Sequence, residues 1–168
     1  MKDVTYRYLD MIDSFPNHPF QVNEDEDMQK LVDSINEKGV LTPIVVRKKE
    51  DGRYEIISGH RRKRASELAN KKEIECVIKD YTDDEAKIVM VDSNIQREKI
   101  LPSEKAFAYK MKYDALKHQG KTFGPLDQKT SAEIIGDEMG ESEKTIRRYI
   151  RLTELIPELL KINIYHLY

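Results

Sequence analysis

The chain has 168 residues, 39% of them apolar and 36% charged, with a formal net charge of −2. That is enough for one compact domain or two small ones, globular but heavily solvated. A single cysteine excludes a disulfide framework, no apolar run reaches membrane length, and the opening MKDVTYRYLD lacks a signal peptide's apolar core, so a cytoplasmic protein is expected.

The small net charge hides strong segregation. Residues 61–72 hold six basic side chains (Arg61, Arg62, Lys63, Arg64, Lys71, Lys72) against Glu67, and residues 24–27 are all acidic. Residues 142–151 hold Lys144, Arg147, Arg148 and Arg151 against Glu143. Anion-binding surfaces are therefore local.

In chain order, Val4–Tyr8 reads as a strand, followed by a loop through Phe15-Pro16-Asn17-His18-Pro19. Residues 25–38 form an amphipathic helix, with Met28, Leu31, Val32 and Ile35 at i, i+3, i+4 and i+7 and Gly39 as its stop. Pro43 opens a strand at Ile44–Arg47, Asp51-Gly52 turns a hairpin, and Tyr54–Ile57 returns. Arg61–Asn70 is a helix with Ala65, Leu68 and Ala69 inward. Ile74–Lys79 is a strand that carries Cys76 as a small apolar-run residue. Asp83–Asn94 is helical through Ala86, Val89 and Met90. Pro102 opens a long helix to about residue 118 with Ala106, Tyr109, Met111, Tyr113 and Leu116. A polar loop spans Gly120–Thr130, and Pro157 breaks the pattern near the end. The expected class is α+β: a small mixed α/β domain over residues 1–98, then an all-helical domain over 99–168.

The stretch SAEIIGDEMGESEKTIRRYIRL, residues 131–152, lays out a helix-turn-helix. Ala132, Ile134, Ile135 and Met139 form the inner face of its first helix, Gly140 sits at the bend, and small Gly136 allows close approach. Ser142 is the N-cap of the second helix, with Glu143 at the positive end of its dipole. Ile146, Tyr149 and Ile150 pack inward. Lys144, Arg147, Arg148 and Arg151 are left outward, which suits entry into a major groove. Of the adjacent arginines, at most one points squarely into the groove, and Lys144 and Thr145 near the helix start are the expected base readers. Solvated arginines on an ordinary αα-hairpin are the alternative. The coincidence of small residue, turn glycine, cap and basic face favours DNA.

A second constellation, Ser58-Gly59-His60-Arg61-Arg62, lies where a strand turns into a helix. Glycine lets the backbone approach an anion, the first helical N–H groups point at it, and arginine forks match phosphate oxygens. A glycine turn with surface arginines is the plainer account. Asn94-Ile95-Gln96-Arg97 follows a helix end and says little alone. The four histidines lack ligand spacing, and Gly120-Lys121-Thr122 lacks the first glycine and strand of a phosphate-binding loop.

Taken together, the run LVDSINEKGVLTPIVVRKKEDGRYEIISGHRRKRASELA (31–69), the box His18-Pro19-Phe20-Gln21, Asn94-Ile95-Gln96-Arg97 and the helix-turn-helix resemble, in order and spacing, the ParB family of partition proteins. The resemblance covers roughly residues 4–160. It implies a ParB/sulfiredoxin-like amino-terminal domain, a helical DNA-binding domain and centromere-like double-stranded DNA as partner. It also implies cytidine triphosphate with magnesium as a switch ligand, self-association into a dimer, a ParA-like ATPase and nucleoid or plasmid association. Carried over by position, Gly59, His60, Arg61 and Arg62 would cradle phosphates, with Asn94 and Arg97 approaching them; Ser142, Lys144, Thr145, Arg147, Arg148 and Arg151 would meet DNA.

The sequence departs from the family's pattern in places. The family's magnesium-holding glutamate is Ser93, with Asp92 one place out of register, so at most a weak CTPase is expected. The acid of the family's Gly-Glu-Arg-Arg turn is His60. The box that usually closes on Pro-Arg continues Val22-Asn23. After Leu160 only KINIYHLY remains where the family has a carboxy-terminal dimerisation domain, so either a fragment or another mode of dimerisation is expected. A sulfiredoxin would need a cysteine in the Gly-His-Arg turn, and none is there. Two alternatives stand beside partition: a plasmid or mobile-element regulator that binds DNA without nucleotide, and a ParB-fold kinase on a small molecule such as free serine.

Overall fold

Two cross-strand registers fix the centre of the amino-terminal unit: Ile44 lies opposite Cys76 in a parallel pair, and Val46 lies opposite Ile56 in an antiparallel one. The computed structural model describes residues 4–96, 100–120 and 129–154. Contacts divide the chain into two compact units, residues 1–82 and 83–168. The expected division fell after residue 98. The difference is helix α3 (Asp83–Asn94), which packs on α4 (Pro102–His118) and so groups with the helices.

The first unit is a five-stranded sheet in the order β1-β5-β3-β4-β2, with β1 Val4–Tyr8, β2 Ile12–Asp13, β3 Ile44–Lys48, β4 Tyr54–Ser58 and β5 Glu73–Ile78. β1 and β5 are antiparallel, β5 and β3 parallel, β3 and β4 antiparallel, β4 and β2 parallel. Leu9, Ile12, Ile44, Val46, Ile56, Ile74 and Cys76 form one apolar cluster. Each large aliphatic buried there stabilises the sheet by about 1.5–3 kcal/mol. Helices α1 (Glu26–Lys38) and α2 (His60–Leu68) pack together through Met28, Val32, Ile35 and Ala65. Leu68 departs from the expected inward face and is exposed, because α2 ends at that residue.

In the second unit α4 is the central helix, touching α3, α5 (Ser131–Met139) and α6 (Glu143–Leu152). Its small residues Ala106, Ala108 and Ala115 are fully buried, which lets neighbouring helices come close. Pro102 starts the helix without losing a bond, and Glu104 reaches back to accept from the Leu101 N–H at 2.9 Å.

Candidate nucleotide and nucleic-acid sites

Gly59 joins β4 to α2 with φ of 103°, a left-handed conformation that glycine adopts without strain. A Cβ there would lie 2.6 Å from Ile44 Cγ2 and 3.1 Å from Arg62 Nη2, so clearance as well as conformation requires glycine. The first turn of α2 has N–H groups with no intrahelical acceptor, and no side chain caps it at Gly59. Such a helix start favours an anion.

Four of the expected residues, Gly59, His60, Arg61 and Arg62, come together at this turn. Arg62 is half-buried and donates through Nη1 to the carbonyls of Thr42 and of Pro43, the latter at 2.8 Å. Burial alone pushes its guanidinium pKa down, and no carboxylate pairs with it among the described residues. Arg61 differs: its Nη2 meets Asp25 Oδ1 at 3.1 Å. Asp25 also caps α1, accepting from the Met28 N–H at 2.9 Å. Arg61 first, then that amide, holds the Asp25 carboxyl below its usual range. Arg64 pairs with Glu24 and Glu67, and Lys63 with Glu67. Two ion pairs, Arg61 with Asp25 and Arg64 with Glu24, thus join the acidic run to the basic run.

His60 is 8% exposed, with its ring packed at a 38° tilt against that of His18, the centroids 3.8 Å apart. His18 Nδ1 in turn donates to the Phe20 carbonyl at 2.7 Å, which seats the His18-Pro19-Phe20-Gln21 box against the turn. Beside Arg62 opens a cleft of about 330 Å³ lined by apolar Leu31, Ile35 and Leu41 and polar Ser34 and Thr42. Sequence reasoning missed this cleft. Its one sequence signal is Leu41, an apolar loop residue that is 76% exposed.

Asn94 lies in the second unit at the end of α3, 4% exposed. Its Nδ2 donates to the Met90 carbonyl at 2.8 Å and to Ser93 Oγ at 3.2 Å, while Ser93 Oγ itself donates to Met90 O. Arg97 lies outside the described residues. Asp92 accepts from Lys112 Nζ at 2.5 Å. With Ser93 turned to its own helix and Asp92 engaged, the donors here do not fit a protein-held magnesium ion. No cluster of metal-ligating side chains occurs among the described residues.

The helix pair is built as its caps dictate. Thr130 Oγ1 accepts from the Glu133 N–H and Glu133 accepts from the Thr130 N–H, closing a capping box on α5. Gly140 ends α5 at φ 67°. A Cβ on Gly136 would sit 2.6 Å from the Glu141 carbonyl, so the close approach is to the backbone of the turn. Ser142 Oγ accepts from the Thr145 N–H at 3.1 Å, capping α6. Ile146 is fully buried, and Tyr149 meets Tyr109 of α4 edge to face at 5.5 Å. Glu141 anchors the turn, accepting from the Tyr109 hydroxyl at 3.1 Å and Lys105 Nζ at 3.0 Å. Burial foremost, with Glu141, drives the Tyr109 pKa well up. These anchors went unread in the sequence.

At about 100° per residue, Lys144, Arg147, Arg148 and Arg151 fall within about 100° of one another on α6, opposite Ile146. Lys144, Arg148 and Arg151 are exposed and carry no ion pair among the described residues. Arg147 is different, paired with Glu143 at 2.6 Å. Glu143 also accepts from Thr130 Oγ1, which ties Arg147 back toward the start of α5.

A family model of the ParB N-terminal domain matches residues 2–95. The chain belongs to the ParB family. That match runs past the compact sheet unit and includes α3. The chain is 36% identical over 146 residues to the chromosome-partitioning protein Spo0J of Thermus thermophilus, covering 87% of this chain and 49% of that protein. It is 32% identical over 141 residues to a nucleoid occlusion protein of a Geobacillus species, covering 84% and 46%. The chain therefore spans about half the length of these ParB-family relatives. It also matches the structure of the C-terminally truncated chromosome-partitioning ParB of Caulobacter crescentus complexed with CTP-γ-S, at a TM-score of 0.52 and 27% identity over 95% of this chain and 83% of that one.

Proposed function

We propose that the chain is the DNA-reading and nucleotide-binding portion of a partition protein. In this reading α6 enters the major groove of a centromere-like site, and cytidine triphosphate at the Gly59–Arg62 turn acts as a switch ligand. The observation that carries it is the basic stripe Lys144, Arg148 and Arg151, exposed and without an ion pair among the described residues, on a helix capped and seated as the second of a helix-turn-helix. The stripe supplies phosphate contacts, and Lys144 and Thr145 at the entering end supply base contacts. The centromere-like target is what the family resemblance implies, and the chromosome-partitioning relative supports it. Selection from random duplexes tests it: one enriched motif supports the reading, and an unenriched pool refutes it.

For the nucleotide, the support is Arg62, a half-buried guanidinium with no carboxylate partner among the described residues, at a glycine-opened helix start. A triphosphate would supply the missing negative charge, His60 would contribute its backbone N–H, and the adjacent cleft offers space for a base. Cytidine is preferred because the related Caulobacter protein holds a cytidine triphosphate analogue. Isothermal titration with each nucleoside triphosphate, with and without magnesium, tests this arm. Hydrolysis is expected to be slow or absent, since neither Ser93 nor Asp92 offers a free carboxylate for a metal.

One observation favours a second reading, DNA binding without nucleotide. Arg61 and Arg64 are already neutralised by Asp25 and Glu24. The titration separates the two. Useful specificity normally needs two half-sites, so self-association into a dimer is part of the proposal; light scattering on a palindromic site reads it. A ParA-like ATPase partner and nucleoid association rest on the family alone.

A further inference from the structure

Lysine rarely goes fully underground, and Lys112 of α4 has a side chain only 2% exposed. Its neighbours one helical turn away, Ala108, Ala115 and Leu116, are all buried. Packing alone would be served by leucine or methionine at such a position, whereas a buried ammonium must be met by anions. Two meet it, each from a different helix: Asp92 Oδ1 of α3 at 2.5 Å, and Glu138 Oε2 of α5. The three partners are not alike. Asp92 and Glu138 are 44% and 49% exposed and can return to water, but the ammonium cannot. If the last turn of α3 withdraws, Lys112 keeps a single carboxylate, and the hold on Glu138 must change with it.

We propose that Lys112 is a positioning residue that couples α3 to the helix pair reading DNA. Asp92, next to Ser93 and Asn94, is the arm toward α3; Glu138, in the last turn of α5, is the arm toward α6. Any ligand or partner that displaces the end of α3 thereby changes how α5 supports α6, and DNA binding feeds back on α3 by the same linkage. None of the three side chains lies on the basic stripe of α6, so none is a DNA contact in this account. The inference rests on the reading of α6 as the DNA helix only for its functional arm.

The test is a double-mutant cycle in the full chain with Asp92→Asn and Glu138→Gln, two half-exposed positions, with a thermal melt of each variant showing that it is folded at the assay temperature. Affinity for the selected duplex is measured well below the melting temperature, where loss of stability alone would not move it. Each single change should weaken binding roughly 3- to 10-fold, and the double change should cost no more than the larger single one, because both act through Lys112. Multiplying effects would overturn the coupling. Amide exchange in residues 131–139 reads the same joint without DNA. Asp92→Asn on α3 should speed exchange in α5, and should do nothing further in a Lys112→Met background. Equal acceleration in both backgrounds, or none in either, would overturn it. A wild-type chain that binds no duplex would sink the DNA reading and leave the exchange experiment to decide the joint.

Discussion

Asp25 and Arg61 meet at 3.1 Å, and the same carboxylate caps α1 through the Met28 N–H. One acidic side chain thus serves a helix start while occupying a cation that a phosphate would want. Asp25→Asn separates the two roles, since asparagine caps as well as aspartate. The variant should melt within a few degrees of wild type and bind cytidine triphosphate a few-fold tighter, consistent with the small worth of an exposed pair. Isothermal titration alongside a thermal melt checks both. Unchanged affinity would mean that Arg61 takes no part in the site.

Arg62 should matter far more. Arg62→Ala should weaken triphosphate binding roughly 10- to 100-fold, the range of charge-assisted hydrogen bonds. Arg62→Lys should recover only part of that, because an ammonium cannot keep the Thr42 and Pro43 carbonyls and grip a phosphate with a planar fork. Titration of the three proteins gives the order directly.

Gly59→Ala should lower stability by about 1–3 kcal/mol, because the positive φ and the contact with Ile44 both oppose a Cβ. Denaturant melts measure it. A neutral result would show that the turn relaxes freely, against the view that it is a preformed cradle.

Asp13 gives a pH signature in the sheet unit. Its carboxylate pairs with Arg53 at 2.6 Å and Lys49 at 2.7 Å, and those hydrogen bonds hold its pKa far below the usual range. A depressed folded-state pKa means that the contribution is complete above the unfolded carboxylate value and is lost as pH falls through the folded one. Asp13→Asn should therefore be less stable than wild type near neutrality, with the two melting curves converging in acid.

Much of this was legible because it is local. The periodicity of Met28, Val32 and Ile35, the Asp51-Gly52 turn, Pro102 as a helix opener and the caps Ser142 and Gly140 each act within a few residues, and each appears where expected. β2 escaped notice because two residues, Ile12 and Asp13, cannot show a period of two. The pairing of Glu24 and Asp25 with Arg64 and Arg61 spans about 40 positions, and only the packing of α1 on α2 creates it. Lys112 was hidden for another reason. It stands three residues after Tyr109 and four before Leu116, on the buried face, but a lysine in a helix reads as solvent-facing until the partners of its ammonium are seen.

Within the helix pair, the stripe on α6 divides by function. Arg148→Ala and Arg151→Ala should each weaken binding to all duplexes alike and reduce the slope of log K against log salt by about one. Arg147→Ala should do less, because Arg147 is held by Glu143. Fluorescence anisotropy at several salt concentrations distinguishes them.

Selection from random duplexes by wild type, Lys144→Ala and Arg148→Ala in parallel decides whether α6 reads sequence. Wild type should enrich one motif. Lys144→Ala should relax that motif at one position, at a cost of ~1–3 kcal/mol on the preferred site, while Arg148→Ala should keep the motif and bind everything more weakly. No enriched motif from wild type, or the same motif and affinity in all three proteins, would mean that α6 does not read sequence.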